Sequence, residues 1–193
     1  MTESLTQQRL DAFARITAAG EPYELVDRVD IRGPVRTFVN APASLRQLYE
    51  EARSDVEFLV ADDQRWTFAE FWNDAARIGH LLVHELGVQK GDRVAISMRN
   101  YPEWMMAFTA ATSVGAIAVA MNSLWNADEM AYGLTDSGSK VIFADAERLA
   151  LLESMSEPID GLQIVAVRHS GASVTEVDLA ARMTAIGAVD MPQ

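Results

Sequence analysis

The sequence predicts an α/β fold with a mainly parallel sheet, flanking helices and an N-terminal β-hairpin. Four short runs rich in Val, Ile and Ala alternate with segments of helical apolar spacing, at intervals of roughly twenty-odd residues. Such alternation is typical of βαβ units, which form parallel sheets with right-handed crossovers. Ahead of them, two short apolar runs flank a polar turn, which predicts the hairpin. The four strand segments are 94–98, 116–120, 141–144 and 164–167.

The chain is strongly acidic. Lys and Arg total 16 against 28 Asp and Glu, a formal net charge of −12, and the basic residues are scattered singly. Nucleic acids and anionic membrane surfaces bind basic patches, so the sequence predicts neither partner. There is no cysteine, which excludes disulfides, thiol nucleophiles and thiolate metal sites and fits a reducing compartment.

The sequence predicts a cytoplasmic protein with no transmembrane segment. Residues 1–14 are polar and charged, without the apolar stretch of a secretory signal. The longest weakly polar run, 105–121, has 17 residues, is rich in Ala, Thr and Ser, and is interrupted by Gly115. A membrane-spanning helix needs about 20 apolar residues, so this run instead predicts a buried helix followed by a buried strand.

The N-terminal region predicts one helix and an irregular lead-in. Residues 5–19 have helical apolar spacing, and the pattern stops at Gly20, with a proline two residues beyond. Residues 23–42 mix polar, charged and apolar side chains without a period, which predicts an extended or looping segment. At Ser44 a Ser-x-x-Gln capping box predicts a short helix that runs to about residue 53.

The predicted hairpin comes directly after this short helix. Residues 56–60 form an apolar strand, Asp62 and Asp63 form a polar turn, and residues 65–66 form the return strand. Because the turn is so short, we expect the two strands to pair antiparallel with each other.

The clearest amphipathic helix begins at Thr67. Its hydroxyl is placed to accept the N–H of Glu70 while the Glu70 carboxylate accepts that of Thr67, which makes a capping box. Apolar residues then recur at spacings of three and four, and Gly87 ends the pattern. The apolar positions are Phe68, Phe71, Trp72, Ala75, Gly79, Leu82 and Leu86.

The later strands are followed by predicted helix starts. Asn100 and Asn126 each begin an Asn-x-x-Glu capping box, and Asp145 is placed to cap a third helix. The last strand leads to residues 173–186, which predict one more helix. The alternation of strands and helices therefore extends over the second half of the chain.

His80 and His84 lie four residues apart on the predicted helix, a spacing that can bind one metal ion. They share one side of the helix with Asn73 and Arg77, opposite the apolar face, and no third ligand accompanies them. Protein metal sites of this kind take three or four ligands. We therefore interpret the two residues as solvated surface histidines and predict no metal site.

Residues 133–140 superficially resemble a phosphate-binding loop. A Walker loop needs Gly-Lys-Ser or Gly-Lys-Thr between a strand and a helix N-terminus, so that backbone amides face the phosphate. Here the Lys and Ser are reversed, and the segment ends a helix ahead of a strand. Gly138 is instead predicted to end that helix in the left-handed conformation. The dinucleotide fingerprint G-x-G-x-x-G is absent from the chain.

The remaining candidates are acidic or aromatic side chains. The acidic ones stand at predicted turns and helix starts, where carboxylates bind free N–H groups, so no acid–base pair is predicted. The tryptophans are predicted to pack in the core or between subdomains. No catalytic, cofactor-binding or metal-binding residue is therefore predicted. The residues concerned are Asp62, Asp63, Asp92, Glu103, Asp128, Trp66, Trp72, Trp104 and Trp125.

Four segments match, in order, the motifs of one known family. Residues 67–71, Thr-Phe-Ala-Glu-Phe, are similar to a motif that usually reads Thr-Tyr-x-Glu-Leu and precedes a long helix. Residues 91–96 resemble a Gly-Asp-x-Val strand that an Asn-capped helix follows. Residues 115–122 are similar to a second core motif, and residues 129–141 to the helix and strand after it. Together they resemble the first part of the adenylate-forming (AMP-binding) enzymes.

This resemblance implies an ATP-dependent acid–CoA ligase, and Asn122 favours the fatty-acid and aryl-acid ligases. Such a ligase joins a carboxylate to AMP with release of pyrophosphate, and the CoA thiol then displaces AMP. It uses ATP, Mg²⁺ and CoA. The family's Ser/Thr/Gly-rich phosphate loop ending in Pro-Lys-Gly is absent from this chain. The resemblance therefore implies that residues 1–43 are a helix and lead-in, and residues 44–193 the first part of the large AMP-binding domain, before the phosphate loop.

The chain alone is accordingly expected to bind none of these cofactors and to be inactive. Its expected partners are the remainder of its own polypeptide and, through an apolar face left by truncation, further copies of itself. Two alternatives stay open: a stand-alone flavodoxin-like or receiver-like binding module, and a protein-interaction domain. The binding module would contact its ligand at the carboxyl ends of the strands, near residues 98–100, 121–123 and 144–145.

Overall fold

The computed structural model describes residues 4–31, 33–169 and 176–193. The chain divides into two compact units, Met1–Ser44 and Leu45–Gln193. The described residues of the first unit form one helix and two strands, which pair antiparallel from Leu25 opposite Phe38 to Asp30 opposite Gly33. These elements are α1 (Leu5–Ile16), β1 (Leu25–Asp30) and β2 (Gly33–Phe38).

The extended or looping lead-in predicted for residues 23–42 is extended as one alternative had it, but β1 and β2 pair there as a second hairpin, which was not predicted. The hairpin is anchored within its unit by the Leu25 N–H, which donates to the Thr17 carbonyl oxygen at 3.2 Å. Cross-strand pairing of this kind stabilises a segment whose own pattern is weak. Helix α1 also ends earlier than predicted, where the Thr17 hydroxyl donates to the Phe13 carbonyl oxygen at 2.8 Å.

The second unit opens with helix α2 (Leu45–Glu51) and a hairpin of strands β3 (Glu57–Ala61) and β4 (Gln64–Thr67). The two strands pair antiparallel around Asp62, whose φ of 51° lies in the left-handed region that tight hairpin turns use. The short helix and the hairpin predicted for this stretch are confirmed.

Helix α3 (Phe68–His80) begins at the predicted capping box. Thr67 Oγ1 accepts the N–H of Glu70 at 3.1 Å, and the Glu70 carboxylate accepts the N–H of Thr67 at 2.8 Å. The last part of the predicted helix is a π-helical turn, Leu81–Glu85, in which Leu86 donates to the carbonyl oxygen five residues back. Apolar spacing does not reveal such a change of hydrogen-bond register.

Five strands form one parallel sheet, four of which are the predicted ones. The strands are β5 (Arg93–Ser97), β6 (Ile117–Ala120), β7 (Val141–Asp145), β8 (Gln163–Val167) and β9 (Glu176–Asp178). Their order across the sheet is β6-β5-β7-β8-β9, and every neighbouring pair is parallel. The helices between and after them are α4 (Pro102–Ser113), α5 (Ala127–Ser137), α6 (Ala146–Glu153) and α7 (Leu179–Ile186). The predicted parallel α/β architecture is confirmed.

The helix caps were predicted with mixed success. Asn126 accepts the N–H of Glu129 at 3.0 Å, and Asp145 accepts that of Arg148 at 3.3 Å, as expected. Gly138 ends α5 with φ 60° and ψ 42°, the predicted left-handed conformation. Asn100, however, does not cap α4.

Helix α4 begins later than Asn100 because of a proline. Its N-cap residue is Tyr101, which makes no side-chain cap hydrogen bond, and Pro102 stands at the first helical position. Proline suits that position because its φ is already helical and its missing N–H is not needed there. Glu103 is left free to accept the Nε–H of Arg168, at 2.9 and 3.0 Å to its two carboxylate oxygens.

The helix predicted for residues 173–186 is only partly correct. Residues 173–175 lie outside the described part of the chain, and Glu176–Asp178 form β9 rather than a helical turn. The strand pairs with β8, and α7 starts only where Asp178 accepts the N–H of Ala181 at 3.0 Å. Pairing with a sheet edge overrides a helical pattern of three residues.

The sheet is covered on both faces by helices. Val94 and Ile96 of β5 pack with α3 and α4 on one face, and Ala95 packs with α5 and α6 on the other. Strand β6 is an exception, since it lies at the edge of the sheet and Ile117 is 52% exposed. The buried strand predicted for residues 116–120 is therefore half exposed. None of the helices in the described residues is long and apolar enough to cross a membrane.

Candidate functional site

The carboxyl edge of the parallel sheet is where open α/β folds bind ligands. If the five strands are renumbered 1 to 5 in chain order, their order across the sheet is 2-1-3-4-5. The connection that follows β5 and the connection that follows β7 therefore lead away from the boundary between these two strands in opposite directions. The structure brings the loops at residues 98–100, 121–123 and 144–145 together at this boundary through one set of polar contacts.

Asp145 and Arg148 form a buried ion pair at this edge, with 4% and 3% of their surfaces exposed. Arg148 Nη1 lies 3.2 and 3.3 Å from the two carboxylate oxygens of Asp145. The same carboxylate accepts the backbone N–H of Arg99 at 2.9 Å. Arg148 Nη2 donates to the Ser123 carbonyl oxygen, and Nη1 also lies 2.7 Å from a Glu147 carboxylate oxygen.

This ion pair joins the ends of three strands. Arg99 follows β5, Ser123 follows β6 and Asp145 ends β7, so a single carboxylate and a single guanidinium hold all three loops. Two charges are costly to bury unless they are paired and hydrogen-bonded. Here the two charges are paired and both Nη atoms of Arg148 have acceptors, whereas its buried Nε has no partner among the described residues. Protein side chains therefore fill the boundary between β5 and β7.

Two carboxylates away from this edge are held ionised by hydrogen bonds. The backbone N–H of Thr67, and then its hydroxyl, lower the pKa of Glu70. The Lys140 ammonium group, 2.8 Å from Asp92, lowers the pKa of that carboxyl, and the Gln89 N–H adds to the effect. A carboxyl whose pKa is lowered is a poor general acid at neutral pH. Glu70 instead stabilises the start of a helix, and Asp92 stabilises a turn.

The structure places His80 and His84 side by side, with ring centroids 4.5 Å apart. His80 ends α3 and is half-buried, whereas His84 lies in the π-helical turn and is exposed. No group of three His, Cys, Asp or Glu side chains within the described residues is arranged to hold a metal ion. The pair therefore lacks a third protein ligand of these types.

Residues 133–140 present the wrong groups to a phosphate. The Arg93 guanidinium donates to the Ser137 carbonyl oxygen at 2.7 Å and to the Gly138 carbonyl oxygen at 2.8 Å. Phosphate-binding loops present backbone N–H groups to their ligand, whereas this helix end presents carbonyl oxygens to a cation. The segment is the end of a helix that an arginine fastens to β5.

The aromatic residues pack in or against the core. Trp72 is buried, and the other three tryptophans are partly buried against the two faces of the sheet, in agreement with the prediction. Beside Trp72 an apolar pocket with a volume of ≈ 250 Å³ lies between α2, the β3–β4 hairpin and α3. No His, Asp, Glu, Lys or Arg side chain is among the residues that line it, so the pocket presents an almost entirely apolar surface. Its lining residues are Leu48, Tyr49, Ala52, Phe58, Phe68, Phe71 and Trp72.

Three arginines join distant segments of the second unit, and none of them was predicted as a site residue. Arg148 stands three residues after its cap Asp145, a spacing that could have suggested the ion pair. Arg77 Nε donates to the Gly187 carbonyl oxygen at 2.8 Å, and Arg46 Nη2 to that of Met191 at 3.2 Å. These two contacts join positions more than one hundred residues apart, so no local sequence pattern predicts them.

A family model described as AMP-binding enzyme matches residues 47–185, a range that includes the whole parallel sheet and the polar cluster at its carboxyl edge. This chain belongs to the AMP-binding enzyme family. The resemblance inferred from the four motifs is thus confirmed, since the matched range contains all of them.

Two curated relatives of this AMP-binding chain are acid–CoA ligases by name. The long-chain-fatty-acid–CoA ligase FadD13 of Mycobacterium tuberculosis is 35% identical over 114 residues, which are 59% of this chain and 21% of the relative. The 4-hydroxybenzoate–CoA/benzoate–CoA ligase of Rhodopseudomonas palustris is 26% identical over 145 residues, 75% of this chain and 27% of the relative. The chain spans about a fifth to a quarter of the length of these relatives.

Solved structures of the family share this fold. The anthranilate CoA ligase AuaEII in complex with anthranoyl-AMP superposes with a TM-score of 0.69 and 26% identity, over 77% of this chain and 30% of that one. The N-terminal domain of FACL13 from Mycobacterium tuberculosis superposes with a TM-score of 0.66 and 27% identity, over 78% of this chain and 38% of that one. The fold of this chain is therefore that of the N-terminal domain of adenylate-forming ligases.

Proposed function

We propose that this chain is the scaffold-bearing first part of the AMP-binding domain of an ATP-dependent acid–CoA ligase. The reaction has two steps: a carboxylate and ATP give an acyl-adenylate and pyrophosphate, and the CoA thiol then displaces AMP. The observation that supports the proposal most directly is the family match over residues 47–185, on a sheet that superposes on acid–CoA ligases. The names of the relatives point to a fatty or aryl acid as substrate.

The share of this chain in the reaction is structural. Residues 44–193 form the first part of the large AMP-binding domain and carry no phosphate loop, and residues 1–43 form its lead-in. ATP, Mg²⁺ and CoA are bound by the complete ligase. The partners of the chain are the remainder of its polypeptide and, through faces that this remainder would cover, further copies of itself, in the cytoplasm.

The proposal is tested on the complete product of the gene. Incubated with ATP, Mg²⁺, CoA and a panel of fatty and aryl acids, that protein is expected to form a CoA thioester with at least one acid. A protein that folds and binds ATP, yet forms no thioester or adenylate with any acid, would refute the ligase assignment.

A stand-alone binding module is the second candidate, because the 2-1-3-4-5 strand order is also that of flavodoxin-like folds. In such modules the ligand sits at the boundary that Asp145 and Arg148 fill here. Titration of the 193-residue chain with flavin mononucleotide separates the two proposals. Binding that a change at Ser123 or Arg99 abolishes would favour the module, and no binding favours the ligase scaffold.

A further inference from the structure

Arg168 adopts an unusual backbone conformation at the carboxyl edge of the sheet. It follows β8 directly, and its φ of 51° places it in the left-handed region. A side chain longer than glycine's is disfavoured there, and residues in such conformations cluster at binding sites. The other non-glycine residue with positive φ in the described part of the chain is Asp62, which a hairpin turn explains. No turn of that kind explains Arg168.

The contacts of Arg168 leave most of its guanidinium unused. Nε donates to both carboxylate oxygens of Glu103, at 2.9 and 3.0 Å, and the guanidinium carbon lies 4.6 Å from the centre of the Tyr101 ring. An arginine usually binds a carboxylate through two nitrogens, one to each oxygen. Here both oxygens bind the same nitrogen. Nη1 and Nη2 of Arg168 have no acceptor among the described residues, and the side chain is 33% exposed.

We propose that Arg168 binds a phosphoryl group of an anionic ligand, with its Nη1 and Nη2 donors at the carboxyl edge of the sheet. Glu103 and Tyr101 fix the plane of the guanidinium, so that little rotational freedom is lost when a ligand binds. The geometry suits a tetrahedral anion, because planar pairs of N–H groups match phosphate oxygens.

The acidic surface of the protein makes an exposed arginine significant for the binding of anions. With a net charge of −12, the chain repels polyanions over most of its surface, and a phosphorylated ligand needs local cations to approach. At the same edge Arg148 is occupied by its buried contacts with Asp145 and Ser123, whereas Arg168 is partly exposed. Arg168 is therefore the better placed of the two to meet a ligand from solvent.

Two variants distinguish a binding role of Arg168 from a purely structural one. Arg168→Gln and Glu103→Gln break the same ion pair, but only the first removes the guanidinium. If the pair only fastened β8 to α4, both variants would behave alike. If Arg168 binds anions, they diverge, because Glu103→Gln keeps an oxygen that can accept the Nε–H and orient the guanidinium but removes a competing negative charge.

The test is titration of the 193-residue chain with inorganic pyrophosphate at low ionic strength, followed by the arginine side-chain NMR signals and by calorimetry. We expect Arg168→Gln to weaken binding about tenfold, the usual loss for a hydrogen bond to a charged group. Glu103→Gln should bind as tightly as the unchanged chain or a few-fold more tightly. Arg182→Gln is the matched control, since Arg182 also pairs with a glutamate, Glu85, but lies on α7. It should bind pyrophosphate as the unchanged chain does.

Equal binding by Arg168→Gln and the unchanged chain would overturn the proposal. So would a loss in Glu103→Gln as large as in Arg168→Gln. If Arg168→Gln does not fold, the side-chain NMR signals of Arg168 in the unchanged chain decide instead, and signals that do not change on addition of pyrophosphate would overturn the proposal. The measurement needs no ligase activity, so it can fail while the proposed function stands.

The identity of the natural ligand rests on the proposed function, in which both ATP and CoA carry phosphoryl groups. Steady-state kinetics of the complete ligase distinguish them. A raised KM for CoA alone in Arg168→Gln assigns the site to a CoA phosphate, and a raised KM for ATP alone assigns it to the nucleotide. Unchanged KM values for both substrates would exclude a substrate role for Arg168 and overturn the proposal for the ligase.

Discussion

Arg148 holds its guanidinium 3.2 Å from the Asp145 carboxylate, and both side chains are almost completely buried at the carboxyl edge of the sheet. Asp145 also accepts the N–H of Arg99, and Arg148 reaches the Ser123 carbonyl oxygen. The two side chains thus occupy the place where this strand order usually leaves a ligand-binding crevice.

Asp145→Ala is expected to be strongly destabilising. It removes the buried partner of a buried guanidinium and leaves only the exposed Glu147 carboxylate beside it. Breaking a buried ion pair typically costs about 3–5 kcal/mol of unfolding free energy. The double variant Asp145→Ala with Arg148→Met should lose less than the sum of the two single losses, because each single change already breaks the shared contact. Urea unfolding of the four proteins checks this. The exposed pair Glu57 and Arg65 is the control, and breaking it should change stability little.

Additive losses at Asp145 and Arg148 would contradict this account of the pair. So would a fully stable Asp145→Ala variant, since it would show that the guanidinium finds solvent or another partner.

The capping box of α3 is expected to matter for stability and not for turnover. Thr67→Ala removes the acceptor of the Glu70 N–H and should cost about 1 kcal/mol of unfolding free energy. Glu70→Gln keeps an oxygen that can accept the Thr67 N–H, so its loss should be smaller. Thermal unfolding and steady-state turnover of the complete ligase check both statements. A thousandfold fall in turnover in a correctly folded Glu70→Gln variant would show a catalytic role instead.

The elements of this fold that could be predicted are those with strong local signals. The capping boxes at Thr67 and Asn126, the cap at Asp145 and the left-handed Gly138 all depend on residues within four positions of one another. The apolar runs of β5, β7 and β8 are buried on both faces, as parallel strands are, and were placed within one or two residues.

What could not be predicted depends on contacts between distant segments. The β1–β2 hairpin and β9 have weak patterns of their own and form because a partner strand is available. The polar cluster at the carboxyl edge joins Arg99, Ser123 and Asp145, which come together only once the strand order is known. Asn100 does not cap α4 for a local reason, because Pro102 at the first helical position makes Tyr101 the N-cap residue.

The ion pair between Asp92 and Lys140 predicts a defined dependence of stability on pH. Its hydrogen bonds lower the pKa of Asp92 below the usual value of 3.8, so the charged carboxylate stabilises the fold above that pH. This stabilisation is lost as the pH falls through the folded-state pKa. The difference in unfolding free energy between the unchanged chain and Asp92→Asn should therefore be constant from pH 5 to pH 7, given the usual value of 3.8. It should shrink in more acidic solution.

Urea midpoints measured from neutral to strongly acidic pH test this predicted loss of stabilisation. Asp128→Asn, at an exposed helix start, is the control. A difference that grows as the pH is lowered, or that persists unchanged in strong acid, would contradict the assigned ion pair.

The edge strand β6 is expected to mediate self-association of the 193-residue chain. It lies at the edge of the sheet, and its Ile117 is 52% exposed, a combination that favours pairing with another chain. Ile117→Lys should shift the chain towards monomer in sedimentation velocity, because a charge on an edge strand opposes such pairing. Tyr132→Lys, at an exposed aromatic residue of α5, is the control and should leave association unchanged. A chain that is monomeric at every concentration would refute this prediction.

The central claim, that this chain is scaffold for an acid–CoA ligase and carries none of its chemistry, is tested most directly by acid-dependent exchange of labelled pyrophosphate into ATP. Losing one preorganised donor to the developing charge typically costs about 2.7–4 kcal/mol of transition-state stabilisation, and this chain has no phosphate loop at all. The account predicts no exchange by residues 1–193 with any acid, and exchange by the complete gene product with a fatty or aryl acid and Mg²⁺. Exchange catalysed by the 193 residues alone, or a complete protein inert towards every acid, would contradict it.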